Sequence, residues 1–305
     1  MTTPDRHPDQ QSSEHHSEIA ASIDRALRSY VSGCGLRGSL LEAVEYALLG
    51  GGKRLRPILA WRCAEAVGGR GHASLPAGVG VELIHAFSLV HDDLPCMDDD
   101  DLRRGRPTLH RHTDETTALL AGDTMLTLAF DACDRLCVDA SAQLRLTLVR
   151  ELVAGTRSMI VGQVYDSLGG LPDGLSDLER TELVHRNKTG ALIRAACRCG
   201  AMLGAGSPED SDRLHAITGF AERLGLIFQI VDDLLDVEGT PEAVGKAIGK
   251  DADAGKATYP VLLGVDGSRN QITRLQAESE SLIAPLGNAA APLLSLSRAM
   301  ASRDR

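Results

Sequence analysis

Two apolar segments of this sequence each end in a run of aspartates, and this arrangement constrains the fold more than any other feature. The first segment, VELIHAFSLV, leads into HDDLPCMDDDD, where six of the ten residues from Asp92 to Asp101 are carboxylates. The second, FQIV, leads into DDLLD at 232–236. Carboxylates at the end of a helix repel one another and face the negative end of the helix dipole. A stable fold therefore has to bring cations to both runs.

The rest of the chain favours an all-α fold. Alternating strand patterns are scarce, whereas apolar residues recur at three- and four-residue spacing between Gly and Pro. Pro57 suits a first helical turn, and Ser176 with Glu179 forms a capping-box pattern. The predicted helices cover 18–32, 38–49, 57–67, 77–93, 115–137, 142–167, 176–203, 208–238, 258–265, 271–285 and 288–303.

The chain shows no repeat at a fixed period. We therefore expect a disordered polar tail over 1–17 and a single helical domain over 18–305. The Gly-rich, charged segment 239–260 is predicted to be a long functional loop.

Composition and charge exclude several classes of function. The net charge of −10 argues against a nucleic-acid binder, because such proteins neutralise phosphates with excess Lys and Arg. Seven cysteines, an odd number without a CxxC pair, predict free thiols in a reducing compartment. No uninterrupted apolar run approaches the ~20 residues that span a bilayer, and the polar N-terminus lacks a signal-peptide pattern. These features predict a cytoplasmic protein without stable membrane insertion.

The aspartate runs have the chemistry of a metal site. Asp232 and Asp236 are four residues apart and share one helix face. Pro95 disfavours a regular helix beyond Asp92, so a distorted turn can return Asp98 to its side. Two such carboxylate sets, facing each other across a cavity, suit Mg²⁺ whose octahedron is completed by phosphate oxygens. The alternative for either run alone is a solvated acidic helix end.

Basic residues near these runs suggest phosphate binding. GGGKRLRP at 50–57 presents Lys53 and Arg56 at the entry to a helix, where phosphates commonly bind. Each cation alone reads as an ordinary surface charge, but together they predict a site for two anionic groups. His85 lies nearly two turns before Asp92 on the same helix face. It either contacts the same ligand or is a core residue whose hydrogen bonds are satisfied within the protein. The further basic candidates are Arg103, Arg104, Lys188, Lys246, Lys250 and Lys256.

These residues, taken together, resemble the polyprenyl synthetases, the trans-isoprenyl diphosphate synthases, over nearly the whole chain after residue 20. DDLPCMD and DDLLD are similar to the two Asp-rich motifs of that family. GGKRLRP, RRGRPT, GQVYD, NKTG and GKATYP are similar to its other sequence blocks. The resemblance implies an isoprenoid-synthase helical bundle around a central cavity, three Mg²⁺ ions with Mn²⁺ as a substitute, and a homodimer.

The resemblance also implies roles for single residues. Isopentenyl diphosphate is assigned to Lys53, Arg56, His85 and Arg104. The allylic diphosphate is assigned to Arg103, Lys188 and Lys246, with Lys256 as a further substrate-binding candidate. Metal binding is led by Asp92, Asp98 and Asp232, supported by Asp93, Asp233 and Asp236. The catalytic candidates are Arg103, Lys188, Thr189 and Gln229, because the carbocation left by the departing diphosphate needs oxygen dipoles from Thr189, Gln229 and the Lys188 carbonyl.

Product length depends on the residues below the first Asp motif. Ser88 lies one turn before Asp92, and Phe87 lies five residues before it. Both side chains would form the floor of the pocket that holds the growing prenyl tail. Bulky Phe87 favours farnesyl diphosphate, whereas PCM within the motif also resembles geranylgeranyl diphosphate synthases. A terpene cyclase is disfavoured because DDLLD and GGKRLRP are both present. The alternative from another class is a catalytically silent partner subunit.

Overall fold

The computed structural model describes residues 8–209, 211–238 and 257–303, with side chains described from residue 16 onward. Within these ranges the chain is almost entirely helical, which confirms the predicted all-α fold. A short antiparallel hairpin, in which Leu102–Arg103 (β1) pairs with Arg106–Pro107 (β2), follows the first aspartate run. This hairpin was not predicted, because two-residue strands carry no alternating pattern.

The helices follow one another along the chain with short connections. They are α1 (Pro8–Gly33), α2 (Gly38–Leu49), α3 (Leu55–Ala66), α4 (Leu75–Asp92), α5 (Leu109–His112), α6 (Glu115–Arg135), α7 (Ala142–Ser167), α8 (Asp177–His185), α9 (Ala191–Ala205), α10 (Asp212–Glu238), α11 (Tyr259–Ile283) and α12 (Ala291–Ala301). Turns of 3₁₀-helix cover Gly71–Ser74 and Ala284–Ala290, and a π-helical turn covers Arg186–Gly190.

Several predicted boundaries are corrected. The first predicted helix, 18–32, is longer in the structure, where α1 begins at Pro8. The predicted helix 176–203 is split by the π-helical turn. The separate helices predicted at 258–265 and 271–285 form one element, α11, with a kink at Gly264, which adopts a left-handed φ of 72°. The wider division of the chain into a tail and a single domain stays a prediction.

The two helices that carry the aspartate runs lie in the core. Leu83 and Ile84 of α4 are fully buried, and so are Phe220 and Ile227 of α10. Helix α4 packs closely on α6, where a Cβ on Gly80 would lie only 2.8 Å from the Ala129 carbonyl oxygen. Both aspartate runs are therefore held at the ends of rigid, buried helices.

Length and composition alone would allow two segments to cross a membrane, Gly71–Asp92 and Asp212–Glu238. Their most apolar windows are 67% and 56% buried inside the protein. Such burial is typical of core helices, because a bilayer-facing helix exposes its apolar surface.

Candidate active site

The first aspartate run folds back on itself at the end of α4. The Asp98 amide donates a hydrogen bond of 2.8 Å to the Asp92 carbonyl oxygen, which confirms the predicted return of the chain after Pro95. Asp92 is half-buried. Burial raises the pKa of Asp92 to about 6; the charges of Asp98 and Asp93 act in the same direction, whereas Lys188 and Arg103 oppose them. Asp92 therefore lies partly desolvated among both carboxylates and cations, and Lys188 has the largest influence of these charges.

Asp93 has a different environment from Asp92. It is 3% exposed, and its carboxylate accepts a hydrogen bond of 2.7 Å from Arg103 Nε and forms an ion pair with Nη2 at 2.5 Å. Arg103 belongs to hairpin strand β1, and its guanidinium also lies 3.7 Å from the Asp100 carboxylate. Asp93 thus holds Arg103 against the motif, and a metal-binding role for Asp93 stays a prediction.

The second aspartate run contacts the C-terminal end of the chain. Half-buried Asp232 forms an ion pair with Arg303. The Arg303 guanidinium also lies 4.1 Å from the centre of the Phe228 ring. Buried Asp233 accepts a hydrogen bond of 3.0 Å from the Tyr259 amide and lies 3.8 Å from His185 Nε2. Asp233 therefore joins α10 to the start of α11, and Asp236 lies half-buried one turn beyond Asp232.

The donor set fits hard divalent cations. Asp92 and Asp98 supply carboxylates from one helix end, and Asp232 and Asp236 supply them from another. Burial is the largest cause of the raised pKa of Asp92, and a bound divalent cation would lower that pKa again. Within the described ranges, no three metal-ligating side chains already converge on one point. The phosphate oxygens of a substrate would have to complete any metal coordination.

A basic pocket surrounds His85, seven residues before Asp92 on α4. The segment 50–54 before α3, the glycine turn, packs against Arg104. The Arg104 guanidinium donates a hydrogen bond to the Gly51 carbonyl oxygen. Gly52 adopts a φ of +135°, which residues with side chains rarely adopt, and a Cβ there would also meet the Arg104 guanidinium. Burial lowers the pKa of half-buried His85 well below its usual range, and the charges of four arginines, led by Arg56 and Arg104, lower it further. Neutral His85 therefore lies within a dense positive field, and Lys53 is exposed in the turn before α3.

The π-helical turn positions the catalytic candidates. Its close contact with α7 requires Gly162, because a Cβ there would lie 2.1 Å from the Lys188 amide nitrogen. Lys188 Nζ lies 2.6 Å from the Asp166 carboxylate, and Thr189 donates a hydrogen bond to the Gln229 side-chain oxygen. The charge of Lys188 also reaches Asp92. Single π-helical turns are frequent at functional sites.

The chain-length candidates lie on the inner part of α4. Phe87 is 6% exposed, and its ring meets the edge of the His91 ring at 5.6 Å between centroids. His91 Nε2 in turn lies 3.1 Å from the Leu119 carbonyl oxygen on α6. The Ser88 hydroxyl donates to the His85 carbonyl oxygen at 3.0 Å. Phe87 is thus fixed in the interior through His91, and its place at the pocket floor stays a prediction.

Some predicted residues cannot be placed, and some residues near the site were missed. Lys246, Lys250 and Lys256, with the loop residues 239–256, lie outside the described residues. The missed residues are Arg54, Glu82, Asp166 and Arg303. Glu82 did leave a signal, because it is a lone carboxylate in an apolar helix, three residues before His85.

Comparisons with known proteins agree with this geometry. A model of the polyprenyl synthetase family matches residues 37–282. Geranylgeranyl pyrophosphate synthase 11, chloroplastic, of Arabidopsis thaliana is 43% identical over 271 residues, which are 87% of this chain and 75% of that protein. The heterodimeric geranylgeranyl pyrophosphate synthase large subunit 1, chloroplastic, of the same plant is 43% identical over 269 residues, 86% of this chain and 72% of that protein.

A solved structure gives the same result. The FPP/GFPP synthase from Zymomonas mobilis superposes with a TM-score of 0.82 at 32% sequence identity, and the match covers 96% of this chain and 99% of that one.

The predicted cytoplasmic location is wrong by this comparison, because several of the curated relatives are chloroplastic by name. Free thiols and a polar N-terminus fit any reducing compartment, so these features could not single out the cytoplasm.

The match to the family model covers most of the chain and includes both aspartate runs, the glycine turn and the π-helical turn. Members of this family generally use divalent metal to bind diphosphate. This chain belongs to the polyprenyl synthetase family and is a short-chain isoprenyl diphosphate synthase, a transferase of prenyl groups.

Proposed function

We propose that the protein condenses isopentenyl diphosphate with dimethylallyl and then geranyl diphosphate, to give farnesyl diphosphate. The observation that carries this proposal is the division of the site into two halves along α4. One half gathers Arg56, Arg104 and His85, and the other sets the Asp92 carboxylate near Lys188. Two anionic substrates need two such halves, one basic and one suited to metal.

Asp92, Asp98 and Asp232 would hold the divalent cation, with Mg²⁺ as the expected metal and Mn²⁺ as a substitute. Asp93, Asp233 and Asp236 would support them. Bound Mg²⁺ would supply charge neutralisation for the allylic diphosphate as it leaves. Arg103 lies against this cluster through its pair with Asp93, so its guanidinium would grip the same diphosphate together with Lys188.

The chain's own dipoles would steady the carbocation that forms when the allylic C–O bond breaks. Thr189 and Gln229 are joined by a hydrogen bond, which fixes both side-chain oxygens. The Lys188 carbonyl lies in the same π-helical turn. Attack by the isopentenyl double bond forms the new C–C bond, and the departed diphosphate takes the proton that is then lost. No side chain has to act as a general base.

The product length follows from Phe87 in this proposal. A buried aromatic ring five residues before Asp92, fixed through His91, would stop a growing tail early. Geranylgeranyl diphosphate is the second candidate, because the curated relatives cited above carry that name. Replacement of a bulky residue by a smaller one there would convert the first product into the second.

The protein also has a surface suited to a second subunit, and we propose that this subunit is another copy of the same chain. One face of α7 is apolar and exposed along its length, which is unusual for a surface helix. Its members are Leu146, Val153, Ile160 and Val164, between 41% and 48% exposed. Helices from two identical chains can bury such a stripe against each other around a two-fold axis.

Size-exclusion chromatography with light scattering, which measures the molar mass of the protein in solution, tests this surface. Ile160→Lys should convert a dimer into a monomer, whereas Arg157→Lys, a charge-preserving change on the same helix, should leave the dimer intact. A monomeric unmodified protein would contradict the homodimer. Because one relative is a heterodimer's large subunit, restoration of activity by a different chain would indicate a heteromer instead.

Diphosphate release tests the reaction itself. Release that requires both isopentenyl and allylic diphosphate, together with Mg²⁺, supports condensation. Release from the allylic substrate alone would indicate a cyclase or a hydrolase. No release with any primer would favour the silent partner subunit.

A further inference from the structure

Glu82 is a buried carboxylate in the apolar middle of α4. The residue is 4% exposed, and its Oε1 atom lies 2.7 Å from Nη1 of Arg54. The Arg54 side chain is equally buried, at 4% exposure. Burying an ion pair costs desolvation energy. The attraction between the two charges offsets this cost only when their geometry is good. The position therefore calls for an explanation beyond stability.

Arg54 makes three side-chain hydrogen bonds within the protein. Its Nε donates to Asp24 at 2.8 Å and its Nη2 donates to the Leu48 carbonyl oxygen at 2.9 Å, in addition to the bond with Glu82. Arg54 also adopts a left-handed φ of 48°, which is strained for a residue with a side chain, and it immediately precedes α3. These three bonds fix the turn to α1, α2 and α4.

The charge of Glu82 extends beyond this pair. Burial lowers the pKa of Arg56 and of Arg104, and the negative charge of Glu82 opposes that lowering at both residues. Without a carboxylate among them, the arginines around His85 would repel one another in the absence of a substrate. Glu82 thus supplies negative charge to both Arg56 and Arg104, and Asp232 adds to it at Arg56.

We infer that Glu82 and Arg54 are positioning residues for the isopentenyl diphosphate half of the site. The inference rests on the proposed function, and it assigns neither residue to the substrate itself. Arg54 holds the backbone between Lys53 and Arg56, so loss of its anchor moves both cations together. Binding of isopentenyl diphosphate should suffer, whereas the allylic half, built on the far ends of α4 and α10, should not.

Steady-state kinetics with both substrates test this assignment. Glu82→Gln should raise KM for isopentenyl diphosphate by about tenfold or more, and KM for geranyl diphosphate should change less than about twofold. Glu151→Gln is the matched control, because Glu151 forms a comparable partly buried pair with Arg198, 2.9 Å apart, between α7 and α9. That control should leave the ratio of the two KM values unchanged.

A double variant separates positioning from stability. Arg54→Met with Glu82→Met removes both partners of the buried pair, so neither is left as an unpaired charge and the fold should be retained. Calorimetric titration with isopentenyl diphosphate alone, without primer or metal, should still show binding weakened by about tenfold or more. Restoration of normal binding in the double variant would overturn the inference. Equal changes in both KM values, or no change in Glu82→Gln, would overturn it as well.

These outcomes are distinct from failure of the proposed function. Unmodified protein without any turnover would contradict the prenyltransferase reaction. Unmodified protein with turnover, combined with an unchanged preference in the variants, would contradict only the role of Glu82 and Arg54.

Discussion

The Asp98 amide donates a hydrogen bond to the Asp92 carbonyl oxygen, and this bond returns the chain to the end of α4 after a loop of five residues. The bond brings the first and last aspartates of DDLPCMD together, although Pro95 separates them. Burial raises the pKa of Asp92 to about 6, and the nearby charge of Asp98 acts in the same direction.

Removal of either leading carboxylate should abolish turnover without unfolding the protein. Asp92→Ala and Asp232→Ala should each lower kcat by orders of magnitude, because the departing diphosphate loses its metal-held counter-charge. The melting temperature should stay close to that of the unmodified protein. Asp101→Ala, at a side chain 71% exposed in the same run, is the control and should keep normal turnover. Near-normal turnover in Asp92→Ala would contradict the metal assignment.

Arg303 should compete with metal at the second aspartate run. Its guanidinium is paired with Asp232 and has to leave before Asp232 can bind a cation. Arg303→Gln should therefore lower the Mg²⁺ concentration needed for half-maximal activity several-fold. Arg298→Gln, which removes an exposed pair with Glu280 at 2.8 Å, should leave that concentration unchanged. A higher Mg²⁺ requirement in Arg303→Gln would show that the arginine assists the site instead.

His85 should make stability depend on pH. Burial and the neighbouring arginines hold its pKa well below the usual value of 6.5 in the folded protein. Below pH 6.5 the unfolded chain therefore binds more protons at this residue than the folded chain, and stability falls as the pH falls. His85→Gln should lose less stability between pH 7.5 and pH 5.5, measured by urea unfolding. His72→Gln, at an exposed site, is the control; an equal pH dependence in all three proteins would contradict a buried neutral His85.

Changes at the pocket floor should alter chain length in opposite directions. Phe87→Ala should lengthen the product, because it opens space beside His91. Ser88→Phe should shorten the product by adding a ring one turn below Asp92. Mass spectrometry of the reaction products distinguishes the two. Identical products from Phe87→Ala and the unmodified enzyme would remove Phe87 from the pocket floor.

Sequence patterns were sufficient where local chemistry decides the structure. The capping box at Ser176 and Glu179 forms as predicted, with both reciprocal hydrogen bonds present. The helix end before Pro95 also lies where the sequence indicated, since proline limits the backbone whatever surrounds it.

Tertiary packing decided what the sequence did not reveal. The helical pattern runs through RNKTG without interruption, whereas the π-helical turn there depends on close contacts that only Gly162 and Gly225 allow. Likewise, the sequence alone does not distinguish the roles of the three basic residues Lys53, Arg54 and Arg56. Only burial and the three hydrogen bonds of Arg54 separate it from its neighbours.

The proposed product is farnesyl diphosphate, with fifteen carbons, built from isopentenyl units and an allylic primer. To test this product, purified protein is incubated with Mg²⁺, isopentenyl diphosphate and one allylic primer. Dimethylallyl, geranyl and farnesyl diphosphate are supplied in separate reactions, and mass spectrometry measures the chain length of each product. We expect farnesyl diphosphate from the first two primers and little extension of the third. Accumulation of twenty carbons or more would contradict the role of Phe87, and no product with any primer would contradict the proposed reaction itself.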